Sequence, residues 1–599
     1  MKGKTKMGVV NNYINRIIKY LKKEKSEQEY EHPWHQYYGD IPEHLNYPHG
    51  SMYDALRETA LMNESKTAYI YFKNKGTYGD FLATIDQIAE ALTQFDITEN
   101  ESVTVCMPNT PESFALIYAI NKIGAIANVV HPLSSTADIE RALSETNSDT
   151  IFCSDAAMPK ARKIKVKNFV MVPTNNSFKP MLKVLYGIKE KENLKVDEGM
   201  LTWDEFLMHT TDKDVYVKRS AKDPAAILYS GGTTGKPKGI ILSNGNFNAM
   251  ALETRTICDV VRPGNTVMSA LPIFHVFGLA ICCHTVMSAG MTCHIIPRVD
   301  TKNMNKELKK YHPSIFPAVP SMLRLCLKDK DPGFNALKDI KIVVVGGDYL
   351  PPDLKKDFEQ FLRDHGSDAV VKIGYGLSEC CGFACSTAPI DEKDSINGTL
   401  GVPNPDIDIK IFEVGKDIEK TPGEIGEICI NGPTVMMGYI NEDEETAKTL
   451  VLHNDGKIWL HTGDLGSMDE TGRIFYSSRL KRMIITNGYN VYPIELEDII
   501  AKCPLVSSCT VVGVPHKTKG QTPKAVIVLK EGVEEDLDTK TEIRKYCKAN
   551  LAAYAVPTEY EFRKNMPVTA VGKVAYRELE NNEDAKDKKD KKEKNETKR

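Results

Sequence analysis

The sequence predicts an α/β fold built on parallel sheet and spread over more than one domain. Three observations predict it. Residues 77–143 alternate between helical and strand patterns. Ile85, Ile88, Ala89 and Leu92 recur at helical spacing, Val103-Thr-Val-Cys-Met107 reads as a strand, Phe114 to Ile123 is an apolar helix, and Ala125-Ile-Ala-Asn-Val-Val130 is a second strand. Strand, crossover helix and strand make a parallel βαβ unit. Lys341-Ile-Val-Val-Val-Gly-Gly347 is a buried parallel strand that ends in glycines, and open α/β sheets hold ligands at the C-terminal ends of their strands. Finally, 599 residues imply two to four domains.

Composition excludes several classes. Charged residues are 26% and hydrophobic ones 41%, the balance of a soluble globular enzyme. A net charge of −4 gives no overall basic field for nucleic acid. The fourteen cysteines include no Cys-x-x-Cys pair, which favours buried, reduced thiols in a cytoplasmic protein over a disulfide framework or a zinc site. Asn, Arg and Lys interrupt the first apolar residues, so no secretory signal is expected. Residues 263–297 carry no Asp, Glu, Lys or Arg, a length that suggests a membrane span. Pro272, His275, His284 and several Ser and Gly interrupt it, however, so a buried strand–loop–helix is expected instead.

In chain order, residues 9–25 form a candidate amphipathic helix. Val10, Ile14, Ile17, Ile18 and Leu21 share one face, and Arg16, Lys19, Lys22, Lys23 and Lys25 supply positive charge for an anionic membrane surface. A helix docked on its own domain is the alternative. The stretch Leu228-Tyr-Ser-Gly-Gly-Thr-Thr-Gly-Lys-Pro-Lys-Gly239 follows the apolar strand Ala225 to Tyr229. Its glycines let backbone N–H groups converge, its hydroxyls add donors, and Lys236 and Lys238 add charge, as a polyphosphate requires. It is not a Walker A loop, because Ser230 and Pro237 stand where that loop needs Gly and Ser or Thr. Ile240-Ile-Leu-Ser243 leads to a helix around Asn246 to Arg255, with Ser243 as its cap. In Val371-Lys-Ile-Gly-Tyr-Gly-Leu-Ser-Glu379, a ring followed by a hydroxyl and a carboxylate can stack a purine and hold magnesium. In Trp459-Leu-His-Thr-Gly-Asp-Leu465, Asp464 is a turn carboxylate suited to both hydroxyls of a ribose. Pro422 to Gly432 alternates as a hairpin strand and precedes Met436-Met-Gly-Tyr439. Beyond it come a helix from Glu495 to Ala501 and strands around 508–514 and 525–529. The mixed-charge tail from Asn581 should be disordered.

The loop at 228–239, the 371–379 and 459–465 motifs, and Pro567-Val-Thr-Ala-Val-Gly-Lys573 together resemble the acyl-adenylate-forming (AMP-binding) family. Within it the chain is similar to long-chain fatty acyl-CoA synthetases, and Pro33-Trp-His-Gln-Tyr-Tyr38 resembles their lead-in. The resemblance implies a large N-terminal domain of stacked sheets and helices and a small mobile α+β lid. The expected divisions are 1–30 for the basic segment, 31–480 for adenylation, 481–578 for the lid and 579–599 for the tail. It implies a nucleotide site of Ser230, Gly231, Gly232, Thr233, Thr234, Gly235, Lys236, Gly347, Tyr375, Gly376, Ser378, Asp464 and Arg479. Thr234, Glu379 and Lys573 would be catalytic, with Glu379 on Mg²⁺. His275, Phe277, Gly346 and Cys380 would line the acyl pocket. Lys481 would be the hinge and Gly488 would lie on the coenzyme A channel. The implied reaction is ATP-dependent conversion of a fatty acid to acyl-AMP and then to acyl-CoA. The alternatives are transfer to a carrier-protein thiol and a catalytically silent nucleotide-binding member.

Four positions depart from the family pattern. Ser243-Asn-Gly-Asn246 replaces Thr-His-x-Asn, Asp348 replaces a small residue, Ser478 replaces Gly, and Ile485 replaces a Lys carried by many members.

Overall fold

The computed structural model describes residues 32–210, 213–230, 237–300, 302–387, 398–486, 489–516, 518–567 and 574–580. The basic segment at 9–25 and the charged tail lie outside them. The described residues form sheets of fourteen, eight and five strands.

The βαβ unit lies in the eight-stranded sheet. Strands Ser102–Cys106 and Ile126–Val129 pair in parallel, and helix Pro111–Lys122 joins them. Thr110 caps that helix, Pro111 supplies a preset φ at its first position, and all twelve residues are buried. A helix buried on every face, with the apolar run 114–120 at its centre, belongs inside a layered stack, not on its surface. Parallel pairing continues outward on both sides, to Pro224–Ser230 and through Thr150–Ser154 and Asn168–Val172 to Leu201–Thr202. The sheet's other edge is antiparallel: Lys238–Ser243 folds back on Pro224–Ser230, and Gly438–Tyr439 adds to it.

The fourteen-stranded sheet has two characters. Its parallel part includes Ile315–Ala318, Ile342–Gly346 and Val370–Tyr375, with Ile342–Gly346 in the middle as expected. Beyond Val370–Tyr375 the pairing turns antiparallel, through Cys385–Ser386 and Thr399–Pro403 to Ile474–Arg479 and Ile458–Met468. Tyr375, Asp464 and Arg479 are therefore parts of one sheet, although about ninety residues of sequence separate the first two.

The uncharged stretch at 263–297 is strand Thr266–Ser269, a loop, helix Phe277–Thr285 and strand Thr292–Ile295. The expectation of strand, loop and helix holds, but the helix is of π type. Wide turns of this kind recur where a chain must adapt to a functional site. Gly278 opens the helix by necessity: a Cβ there would lie 2.0 Å from the Pro272 carbonyl oxygen. No helix among the described residues is long and apolar enough to cross a membrane. All fourteen cysteines are free, and all but Cys258 and Cys509 are buried.

The five-stranded sheet is built on the hairpin Val506–His516 and Gly520–Leu529. Helices Pro493–Ala501 and Leu537–Asn550 cover it, and Leu496, Ile500, Val511, Ile527 and Ile543 form a core of its own. This is the small α+β unit that follows the large α/β one.

Helix Asn244–Ile257 starts beside the loop hairpin. The Ser243 hydroxyl accepts from Asn246 N at 3.1 Å and the Asn246 side chain accepts from Ser243 N at 2.8 Å, so the capping expected from sequence is reciprocal. Ser243→Ala should cost about 1 kcal/mol, read as a lower urea midpoint with an unchanged slope.

Candidate active site

The site begins where two parallel strands end in glycine. Gly346 pairs with Gly374. A Cβ on Gly346 would lie 2.9 Å from the Gly374 oxygen and 3.3 Å from the Phe277 ring, so the bare backbone lets strand and ring approach. Gly347 then turns the chain at φ +83°, a conformation that suits glycine. Gly376 is bound more tightly still, since a Cβ there would sit 2.1 Å from the Gly382 oxygen. Between these glycines the Tyr375 hydroxyl donates to Asp464 Oδ2 at 2.9 Å.

Asp464 corrects the sequence reading. It sits not in a turn but within strand Ile458–Met468, opposite Arg479 of strand Ile474–Arg479. Gly463 at φ +68° and a register shift between Leu465 and Gly466 bend the strand, so a turn-like sequence is accommodated without ending it. Arg479 Nε lies 2.8 Å from Asp464 Oδ1, but outside hydrogen-bonding geometry. Oδ1 is thus buried and balanced in charge by Arg479. Burial raises the Asp464 pKa and Arg479 opposes the rise, while Asp464 in turn pushes the Arg479 pKa up.

A second carboxylate, which the sequence reading passed over, fixes this bend. Glu427 Oε1 accepts from Gly463 N at 2.9 Å, and Oε2 lies 2.9 Å from His461 Nδ1. His461 Nε2 meets His453 Nε2 at 2.9 Å, and His453 Nδ1 is 2.8 Å from Asp417. Cys429 is close enough to Glu427 and His461 for the three to resemble a cation cluster. Both Glu427 oxygens are engaged, however, so these groups brace the strand beneath Asp464. The only advance signal was the alternation of 422–432.

Glu379 is held from the other side. It lies in the single turn Ser378–Cys380. Its Oε1 accepts from the Tyr439 hydroxyl at 2.9 Å and its carbonyl from Met436 N at 2.8 Å. Tyr439 belongs to the edge strand paired on Lys238–Ser243, so Glu379 is tied to the hairpin that carries the Gly/Thr loop. Sequence reasoning took 436–439 as architecture and missed this link. Ser230 and Lys238 face each other at the base of that hairpin, and Gly231, Gly232, Thr233, Thr234, Gly235 and Lys236 lie outside the described residues. Lys238 is not the free phosphate cation its sequence position suggested. Its Nζ is 2.6 Å from Glu445 and 5.0 Å from the centre of the Tyr439 ring. Lys238 and Lys448 push the Glu445 pKa down to about 2.

The four residues expected to line an acyl pocket separate into two groups. Phe277 and Gly346 touch at the strand ends. His275 lies in the preceding loop, its ring 6.2 Å from that of Phe274. Cys380 is buried with Sγ 3.3 Å from Leu377 N, and burial pushes its pKa up to about 12, so it remains a thiol. None of the four lines the apolar cavity between the sheet and helix Asn244–Ile257. Ile257, Val261, Ile281, Val344, Ile373 and Phe383 do. Its wall reaches Gly374, the partner of Gly346 and the neighbour of Tyr375. The cavity thus comes near the expected set at Gly346, through its partner Gly374.

Lys481 lies in the short turn Leu480–Arg482 that leads into the small sheet. The next residue, Arg482, stacks 3.6 Å from the centre of the Tyr576 ring and pairs with Glu497 at 2.9 Å. The Tyr349 hydroxyl donates to Asp498 Oδ2 at 2.8 Å, and Asp348 accepts from Tyr349 N at 2.9 Å. The acidic substitution at 348 therefore sits at the seam between large and small units, not in the cavity. Ile485 is exposed on strand Ile484–Thr486. Gly488 and Lys573 lie outside the described residues.

Known proteins resemble this chain in sequence and in fold. Residues 56–440 match the family of AMP-binding enzymes, and residues 495–573 match the AMP-binding enzyme C-terminal domain. A long-chain-fatty-acid–CoA ligase of Bacillus subtilis (strain 168) is 31% identical over 91% of this chain and 97% of its own length. The fold is similar to a benzoate CoA ligase from Burkholderia xenovorans LB400, with TM-score 0.75 and 21% identity over 88% of this chain and 99% of that one. It is also similar to ATP-bound MatB from Rhodopseudomonas palustris, with TM-score 0.74 and 22% identity over 89% and 98%.

The contact at Gly376 leaves no room for a side chain. Gly376→Ala should cost about 1–3 kcal/mol, measured by urea denaturation, whereas Gly456→Ala, at a position open to solvent, tests whether an exposed glycine of positive φ costs less.

Proposed function

Because the chain belongs to the family of AMP-binding enzymes, we propose that it is a fatty acid–CoA ligase that forms acyl-AMP from ATP and then acyl-CoA. The observation that carries the choice of acid is the apolar cavity beside Tyr375. Its wall is mostly aliphatic, with Phe383 among the lining side chains and Lys372, Ser386 and Thr387 at its polar side.

In the first step a carboxylate oxygen of the fatty acid bonds to the α-phosphorus of ATP, the bond to the β-phosphate oxygen breaks, and pyrophosphate leaves. An ionised acid needs no general base, so catalysis rests on alignment and charge neutralisation. The Tyr375 ring packs on adenine. The Asp464 carboxylate accepts from the ribose, and Arg479 balances its charge. Ser230 to Lys236 and Ser378 hold the phosphates, with Thr234 donating to the reacting group. The Glu379 carboxylate, oriented by Tyr439, fits a Mg²⁺ ion, which when bound neutralises phosphate charge. Lys573 reaches the developing charge from the lid. Gly346, Gly347, Gly376, Phe277, His275 and Cys380 shape the junction of nucleotide and acyl sites.

In the second step the coenzyme A thiolate bonds to the acyl carbon and AMP leaves. Rotation of the lid, residues 481–578, about Lys481 withdraws Lys573 and brings Gly488 to the thiol channel. The Tyr349–Asp498 contact crosses the seam and is one such a rotation would exchange. Residues 31–480 form the adenylation domain of this scheme. Residues 9–25 are proposed to make peripheral contact with an anionic membrane surface.

The test is acid-dependent exchange of pyrophosphate into ATP, across short, medium, long and aromatic acids, with thioester assayed after adding coenzyme A. Long acids should support both exchange and thioester. Exchange without thioester would assign another acceptor, and no exchange with any acid would refute the reading. Lys573→Ala should lower the first-step rate on the order of 100-fold or more, about 3 kcal/mol.

A further inference from the structure

Helix Pro180–Lys189 follows strand Asn168–Val172 at the border of the eight-stranded sheet, and none of its ten residues is fully buried. An amphipathic helix normally turns its apolar stripe inward. This one carries Met181, Val184, Leu185 and Ile188 outward, at 79%, 62%, 57% and 70% exposure. Their spacing, i, i+3, i+4 and i+7, is that of a single continuous face.

The helix is not loosely attached. Leu182 and Tyr186 pack inward, the Tyr186 hydroxyl donates to Asp155 at 2.7 Å, and Asn175 donates to the Lys183 carbonyl at 3.0 Å. Phe178, at its start, packs on Phe72 with ring centres 4.4 Å apart, and Asn74 donates to the Ser177 carbonyl at 3.2 Å. The hairpin tip that carries Lys73 and Lys75 is thereby fixed beside the helix start. The outward apolar face is a held feature of the fold.

Its rim is basic. Lys179, Lys183, Lys189 and Lys191 are exposed along and just past the helix, and Lys73 and Lys75 are exposed on the hairpin. The nearby acids are Glu190, 3.9 Å from Lys189, and Glu192, 2.5 Å from Lys195. Charge complementarity selects the occupant. A second copy docked symmetrically would set these lysines against their own counterparts. The chain's segment at 9–25 is itself basic, so it too would be repelled. An anionic lipid surface satisfies both parts, taking apolar side chains at the headgroup–acyl boundary and lysines at the headgroups.

We propose that the outward face of helix Pro180–Lys189 docks this protein on an anionic bilayer. This goes beyond the ligase reading and does not depend on it, because vesicle binding is read without acid, ATP or coenzyme A.

The test is co-flotation of the full chain with phosphatidylcholine vesicles, with and without 30% phosphatidylglycerol (about one anionic lipid in three, a composition chosen to give a strong surface potential). The protein should partition onto the anionic vesicles and lose that partition as salt rises. Leu185→Ser with Ile188→Ser should lower the partition coefficient at least about tenfold, and Lys179→Glu with Lys189→Glu should do the same. Thermal melting and pyrophosphate exchange with a soluble acid should be unchanged in each. With Leu185→Trp, the introduced indole should shift to the blue and be quenched by brominated lipid. Lys19→Glu with Lys22→Glu separates any contribution of residues 9–25. The proposal is overturned if the wild-type chain ignores anionic vesicles or if the stripe variants bind like wild type. It is also overturned if binding is lost only in the Lys19/Lys22 variant, or if the stripe variants change sedimentation mass and not vesicle binding. That last result would give the face to a second copy.

Discussion

A buried carboxylate held between an arginine and a tyrosine organises the site. Asp464 is enclosed by the sheet, and enclosure alone would favour its neutral form. Arg479 opposes that by charge, and the Tyr375 hydroxyl takes the other oxygen. These two contacts also join strands of different character. Tyr375 ends the parallel part of the fourteen-stranded sheet, whereas Asp464 and Arg479 lie in its antiparallel part. The same three side chains therefore fix the sheet's switch in pairing and the proposed ribose contact.

The supports around Asp464 are graded in kind. Backbone clearance at Gly346 and Gly376 sets how closely strand ends and loops approach. Glu427 pins the bend through Gly463, and Tyr439 orients Glu379 from the hairpin below the Gly/Thr loop. Each holds a group proposed to touch substrate, which is how a site stays ordered while a lid moves over it. At the seam, the Tyr349–Asp498 contact is polar in character. Contacts of this kind can be exchanged at lower cost than an apolar core.

Local pattern carried much of the fold. The βαβ unit, the Ser243 cap and the glycine-ended strand at 341–347 were legible because period, cap chemistry and burial act within a few residues. The position of Asp464 was misread as a turn, because Thr-Gly-Asp has turn chemistry and only long-range pairing with Arg479 keeps it in a strand. Glu427 and Tyr439 were missed for the same reason, since their partners lie 36 and 60 residues away in sequence. The residues expected to line the acyl pocket are absent from the apolar cavity's wall, which is built from Val261, Ile281 and Ile373, residues that share no local motif. Lys238 looked like a phosphate ligand until its partner Glu445 came into view.

The central claim is that the Asp464 carboxylate accepts a hydrogen bond from a ribose hydroxyl. It is tested most directly by comparing ATP with its 2′-deoxy and 3′-deoxy analogues in pyrophosphate exchange, for the wild-type chain and for Asp464→Asn. The account predicts that removing at least one hydroxyl lowers kcat/KM for the wild-type chain by about ten- to a hundredfold, the worth of a hydrogen bond to a charged group. Asp464→Asn should lose most of that discrimination. Equal discrimination by both proteins would contradict the account and place the ribose contact elsewhere.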